Sequence, residues 1–92
     1  KQNLKVSEEV VEFETPELNR LWGEIENLPL QCKVVFKLVI LEDMKYKDVA
    51  DSLGISVNTV KTQMKIAYKT LREKLKQEQF SLLLFLFGIK ED

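Results

Sequence analysis

Residues 46–76 of this 92-residue chain read YKDVADSLGISVNTVKTQMKIAYKTLREKLK and predict a short helix, a tight turn and a longer basic helix. The short helix carries apolar residues at one-turn spacing, at Val49, Ala50 and Leu53. Gly54 follows at the position where a left-handed residue commonly ends a helix, and Ile55 fills the turn. The Ser56 hydroxyl is placed to accept a backbone N–H at the start of the second helix. This arrangement is typical of a DNA-binding helix-turn-helix.

The second helix has an apolar face and a polar face. Its predicted core positions form an i, i+4, i+7 stripe: Val60, Met64, Ala67, Leu71 and Leu75. The residues predicted to contact DNA start near its N-terminus, the part of a recognition helix that enters the major groove: Asn58, Thr59, Lys61, Thr62, Lys65 and Lys69. Lys69 belongs with Arg72 and Lys76 to the continuation of the basic edge, where solvation of the helix is the favoured alternative to contact with the DNA backbone. An ordinary helical hairpin whose lysines only solvate a surface is the alternative. The co-occurrence of a cap, a turn residue and a basic edge favours DNA binding.

The charge distribution agrees with this prediction although the net charge is −1. Residues 1–44 carry five basic and nine acidic side chains, whereas residues 45–76 carry eight basic and three acidic ones. A local basic strip is what phosphate contact needs, and the whole-chain sum hides it. The acidic remainder predicts that isolated DNA binding is weak and salt-sensitive.

The rest of the chain predicts an all-α four-helix bundle with a helix-turn-helix, winged-helix-like in its recognition unit, and a short C-terminal apolar helix. Residues 1–14 are expected to be a linker from a preceding domain, residues 15–79 the helix-turn-helix domain and residues 80–92 an apolar extension. The predicted first helix has Thr15 as N-cap and buries Leu18, Leu21, Trp22 and Ile25. The next, from Leu30 to Leu41, is the most apolar and is expected to be central. Its main stripe is Cys32, Val35, Phe36 and Val39.

The composition offers few residue types that could carry out catalysis. The chain has no His, which excludes His-based acid–base relays and His-containing zinc sites. It has three glycines and no Gly-rich phosphate loop, and its single Cys is expected to be a core residue. We therefore expect no enzymatic activity, metal or cofactor. The start at Lys and the lack of a secretory segment are expected of a piece of a longer cytoplasmic protein.

From Leu28 to Leu75 the chain resembles the C-terminal promoter-binding domain, region 4, of sigma-70 family factors. The similarity is carried by LPLQCKVVFKL, YKDVADSLGIS, NTVKT and AYKTLREKL. The Leu-Pro-x-x-Cys-x-x-Val-Phe opening resembles the extracytoplasmic-function (ECF) group, particularly its Bacteroidetes versions. Where many members have Ser-Arg after the Thr-Val-Lys/Arg, this chain has Thr62-Gln63, and one expected positive charge is missing.

The resemblance implies docking on the beta-subunit flap of RNA polymerase and placement of the recognition helix in the major groove of the minus-35 promoter element. It adds Val57 to the groove-facing residues given above. Because factors of the ECF group are commonly held inactive by a membrane-anchored anti-sigma factor, it also implies such a partner.

Two other functions remain open from the sequence. The output domains of quorum-sensing-type response regulators often have Gly-Ile-Ser-x-x-Thr-Val-Lys-Thr in their recognition helices, but they usually start with Leu-Thr-x-Arg-Glu where this chain has Leu28-Pro29. A protein-interaction module is the other alternative. The tail FSLLLFLF, residues 80–87, is too short to span a bilayer. It is expected to pack on its own domain or on a partner, and we predict self-association through it.

Overall fold

The computed structural model describes residues 16–88, which form five helices and contain no strand. The helices are α1 (Pro16–Glu26), α2 (Leu30–Phe36, continued by a π-helical turn, Lys37–Leu41), α3 (Tyr46–Leu53), α4 (Val57–Lys74) and α5 (Gln77–Leu86). The predicted all-α bundle with a helix-turn-helix and a short C-terminal helix is confirmed. Without a strand in the described residues, the helix-turn-helix has no β wing there. The predicted linker 1–14 and the Thr15 N-cap lie outside the described residues.

Helix α4 is the centre of the bundle, because it packs against each of the other four helices. Its predicted core stripe is confirmed: Val60, Met64, Ala67 and Leu71 are at most 2% exposed, and Leu75 is buried just after the helix. The sequence instead favoured α2 as the central helix, because α2 is the most apolar. Cys32, Val35 and Phe36 of α2 are fully buried against α4, but the helix changes character after Phe36.

The change is a π-helical turn at the end of α2. The Glu42 N–H donates to the Lys37 carbonyl at 3.1 Å, five residues back, which widens the helix and shifts the side chains that follow. Val39, predicted to continue the buried stripe, is consequently only half-buried, as are Leu38 and Ile40. Asp43 closes the connection to α3 with a φ of 58°, an uncommon left-handed conformation for a residue other than glycine.

Two apolar residues at the expected helical spacing, one of them predicted to be buried, are exposed. Trp22 in α1 is 42% exposed and meets the Phe87 ring edge-to-face, with centroids 6.2 Å apart. Leu53, at the end of α3, is 36% exposed. Leu21 and Ile25 of α1 are buried as predicted. The amphipathic period therefore identified the buried face of the helix correctly. Which residues at the border of that face are buried depends on the neighbouring helices.

Polar contacts join α1 to the helices around it. Both Lys33 and Lys37 reach Glu26 at the end of α1, and the Lys37 Nζ–Glu26 Oε2 distance is 2.6 Å. This hydrogen bond to Lys37 holds the pKa of Glu26 below its ordinary value. Lys33 Nζ also donates to the Glu26 carbonyl at 3.1 Å, which satisfies a free acceptor at a helix C-terminus. On another side, Arg20 donates to the Lys74 carbonyl at 3.1 Å.

Helix α5 is part of the bundle. It starts at Gln77, where the Gln79 side-chain oxygen accepts the Lys76 N–H at 3.0 Å, and not at Phe80 as the apolar run indicated. Phe80 and Leu83 are 6% and 0% exposed and belong to the main core. The predicted boundary between residues 79 and 80 therefore falls inside α5. Among the described residues, no helix combines the length and apolarity needed to cross a bilayer.

Candidate nucleic-acid interface

The turn between α3 and α4 has the local geometry that the sequence predicted. Gly54 ends α3 in the left-handed conformation, with φ 69° and ψ 34°, where a side chain would strain the backbone. The next N–H, from Ile55, donates to the Ala50 carbonyl at 3.0 Å. Ile55 itself packs partly buried against the core. These contacts set the direction in which α4 leaves the turn.

The start of α4 is capped by Ser56, and this prediction is confirmed. Its Oγ accepts the Thr59 backbone N–H at 3.0 Å, and the two hydroxyl groups lie 2.9 Å apart. Thr59 is consequently half-buried with its hydroxyl engaged in the cap. Of the six residues predicted to contact DNA, Thr59 has the least freedom to reach a ligand.

The other five predicted contact residues lie together on one exposed face of α4, which we call the groove face: Asn58, Lys61, Thr62, Lys65 and Lys69. With 3.6 residues per turn they fall within about 100° of arc, opposite the buried stripe. At 1.5 Å per residue the groove face extends for about 16 Å. A B-DNA major groove is about 12 Å wide and admits one helix, so the groove face has a suitable length for it.

The lysines of the groove face keep their charge available. The three ion pairs within residues 16–88 join Arg20 to Glu24 and both Lys33 and Lys37 to Glu26, all at α1 and α2. In that part of the chain no carboxylate pairs with the lysines of α4. Within the described residues the groove face is therefore a basic strip without carboxylate partners, which is the electrostatic condition for contact with phosphates.

Contacts with α2 hold the flank of α4 beside the groove face. The Cys32 thiol lies 3.4 Å from the Gln63 carbonyl and donates to it, and the Gln63 side-chain amide donates to Gln31 at 3.1 Å. Phe36 meets the Tyr68 ring edge-to-face at 6.1 Å. Gln63 thus lies at the junction with α2. The position that lacks the family's positive charge is outside the groove face.

Burial between α2 and α4 affects the pKa of two side chains, Cys32 and Tyr68. Burial raises the pKa of the Cys32 thiol, whose residue is fully inaccessible, so the neutral thiol is favoured and a nucleophilic role is disfavoured. Burial, with a smaller effect from Tyr46, raises the pKa of Tyr68 to about 12. Across residues 16–88 no group of three or more His, Cys, Asp or Glu side chains is placed to hold a metal.

Two lysines that were not singled out from the sequence lie at the start of α3. Lys45 and Lys47 are exposed there, and the first helix of a helix-turn-helix crosses the DNA backbone. Both lysines belong to the excess of basic residues in 45–76. The sequence pattern alone did not show which of these basic residues lie near the groove face. They are candidates for backbone contacts.

Comparison with known proteins agrees with this geometry. The family described as Sigma-70, region 4 matches residues 18–71, more than half of the chain, from α1 into α4. RNA polymerase sigma factor SigV of Bacillus subtilis (strain 168) is 35% identical over 57 residues, which are 62% of this chain and 34% of that protein. The match thus spans about a third of the relative's length. No solved structure matches significantly. On the family match, the chain belongs to the sigma-70 region 4 family.

Proposed function

We propose that this domain recognises the minus-35 element of promoters during transcription initiation, as region 4 of an RNA polymerase sigma factor, with no enzymatic activity of its own. The observation that carries the proposal is the groove face: three lysines without ion-pair partners among the described residues, on one side of a capped recognition helix. Family membership supports it, and the cytoplasm would be its place of action.

In this proposal Lys61 and Lys65 contact phosphates or guanine edges in the major groove. Asn58 and Thr62 make shorter hydrogen bonds to bases or to the backbone. Lys69 lies further along α4 and contacts the backbone. Thr59 and Val57, at the first turn, act mainly through the position of the helix, since the Thr59 hydroxyl is already bonded to Ser56.

We also assign the domain to the ECF group, in the form similar to that of Bacteroidetes. The supporting feature is the Leu28-Pro29 opening with Cys32 three residues after Pro29. Pro29 precedes the first residue of α2, and the Cys32 thiol bonds to the Gln63 carbonyl in α4. The opening motif therefore has a structural role in positioning the recognition helix.

The proposed protein partners are core RNA polymerase, through its beta flap, and an anti-sigma factor. Apolar side chains that the bundle leaves partly exposed support a protein partner, particularly Leu38, Ile40 and Leu41 in the π-helical turn. They follow α2 and are not part of α4, so in this proposal DNA and polymerase are bound by separate elements.

A gel-shift assay with a promoter fragment, with and without core polymerase, tests the proposal. A sigma domain should bind the promoter fragment stably only when the polymerase is present. A response-regulator domain should bind palindromic DNA as a dimer without polymerase, and a protein-interaction module should not bind DNA. Stable binding to a palindrome without polymerase would overturn the sigma proposal.

A matched pair of charge reversals tests the groove face. Lys61→Glu should lower promoter affinity by roughly 1–3 kcal/mol, or about 5- to 150-fold, if Lys61 makes a close base or phosphate contact. Lys74→Glu is the control, because Lys74 is an exposed residue of α4 on the side away from the groove face. Lys33 is unsuitable as a control because it binds Glu26. Equal losses for both variants would show that the groove face is misplaced.

A further inference from the structure

A cleft lies between the end of α4 and the start of α5. It has a volume of about 380 Å³ and is lined by Arg72, Gln77, Phe80, Ser81 and Leu84. The polar groups that the described residues contribute to it are a guanidinium, an amide and a hydroxyl. All three polar groups can donate hydrogen bonds, which suits an anionic ligand.

The guanidinium in this cleft is held in place by an aromatic ring. The Arg72 Cζ atom lies 5.0 Å from the centroid of the Phe80 ring. Phe80 is only 6% exposed and belongs to the core, so the ring is a fixed platform, while Arg72 remains exposed. A guanidinium placed over a ring gains cation–π attraction and has less rotamer freedom to lose when it binds an anion.

The position of Arg72 continues the groove face. It follows Lys65 by seven residues and Lys69 by three, so it lies on the same side of α4, about 10 Å beyond Lys65. It is about 21 Å from Asn58 along the helix axis, whereas the major groove is about 12 Å wide. A helix whose N-terminal part occupies the groove therefore carries Arg72 to the level of the flanking sugar–phosphate backbone.

We propose that this cleft binds a phosphodiester group of the DNA backbone beside the groove that α4 occupies. Arg72 makes the contact, Gln77 and Ser81 supply further donors, and Phe80 is a positioning residue that acts through Arg72. The inference rests on the proposed DNA binding by α4 and extends the footprint to α5. Helix α5 lies after residue 71, where the family match ends, so this contact is an addition to the matched region.

The salt dependence of DNA binding tests the contact. Fluorescence anisotropy with a labelled mixed-sequence duplex at low salt measures how log K changes with log salt concentration for the 92-residue chain. Arg72→Ala should make the slope less negative by about 0.9 and lower the affinity about eightfold at 0.1 M salt, as loss of one phosphate contact requires. Lys74→Ala, which removes a charge from the other side of α4, should leave the slope unchanged.

A double-mutant cycle tests the positioning role of Phe80. Phe80→Leu should lower the affinity two- to threefold in the chain with Arg72 and cause no further loss in the Arg72→Ala chain. Phe80→Tyr, which retains an aromatic ring, should restore binding. Circular dichroism identifies any variant that fails to fold. If a Phe80 variant does not fold, Arg72→Ala still tests the phosphate contact, because Arg72 is an exposed residue.

The outcomes separate this inference from the proposed function. Lys65→Ala should also reduce the slope. If it does and Arg72→Ala does not, the cleft has no phosphate contact and the inference is wrong. An equal effect of Phe80→Leu in both backgrounds would overturn the positioning role. If neither Lys65→Ala nor Arg72→Ala changes binding, the DNA-binding proposal itself fails.

Discussion

The contribution of α5 to stability is tested most sharply by two substitutions two residues apart. Leu83 is 0% exposed and lies in the main core, whereas Phe85 in the same helix is 82% exposed. Leu83→Ala removes a buried side chain and leaves a cavity. Phe85→Ala removes a larger side chain from water. A loosely attached tail would respond weakly to both changes.

The expected magnitudes differ by several kcal/mol. Replacing a fully buried leucine by alanine typically lowers the free energy of unfolding by about 2–5 kcal/mol, because transfer and cavity terms add. The total stability of a small domain is about 5–15 kcal/mol, so Leu83→Ala removes a large part of it. For a domain of this size each kcal/mol lowers Tm by about 4–8 °C. Phe85→Ala should change the free energy by no more than about 0.5 kcal/mol.

Urea and thermal unfolding followed by circular dichroism measure both variants. We expect Leu83→Ala to lower the unfolding midpoint far more than Phe85→Ala, with a single cooperative transition in each case. Deletion after Gln79 should likewise destabilise the helix-turn-helix, because Phe80 leaves the core together with Leu83. Similar midpoints for the two point variants, or an unchanged helix-turn-helix after the deletion, would show that α5 is not part of the folding unit.

Three further predictions concern DNA, acidity and association. If Lys61, Lys65, Lys69 and Arg72 each neutralise one phosphate, log K should fall with log salt with a slope of about −3.6, or about 150-fold between 50 and 200 mM; a salt-insensitive nanomolar affinity would contradict this. Burial raises the pKa of Tyr68 to about 12 in the folded state, above the value of about 10 in the unfolded chain. The contribution of Tyr68 to the free energy of unfolding is therefore complete below about pH 10 and is lost as the pH rises to about 12. Absorbance titration should show Tyr46→Phe lowering the Tyr68 pKa. Sedimentation should show concentration-dependent self-association through the exposed side chains of Phe85 and Leu86, which Phe85→Ser abolishes; a wild-type monomer at high concentration would refute it.

The helix-turn-helix was predictable because its determinants are local. Gly54 ends α3 and Ser56 caps α4 through contacts within five residues, and these need no knowledge of the rest of the bundle. The buried stripe of α4 follows from its period, because a helix with a single apolar face can turn only that face to the core. The same period brings the lysines to the opposite side, so most of the candidate interface could also be predicted.

The tertiary structure decided which residues at the borders of the apolar helix faces are buried, and how helix α5 packs. Trp22 and Leu53 have the right period for burial, but none of the helices within residues 16–88 covers them completely. Helix α5 is apolar on nearly every side, so its own sequence could not show that Leu83 is buried and Phe85 exposed. The Arg72–Phe80 contact likewise depends on the angle between α4 and α5. Local chemistry determines where a helix starts and which side is apolar, whereas burial is a property of the partner surface, which only the assembled bundle supplies.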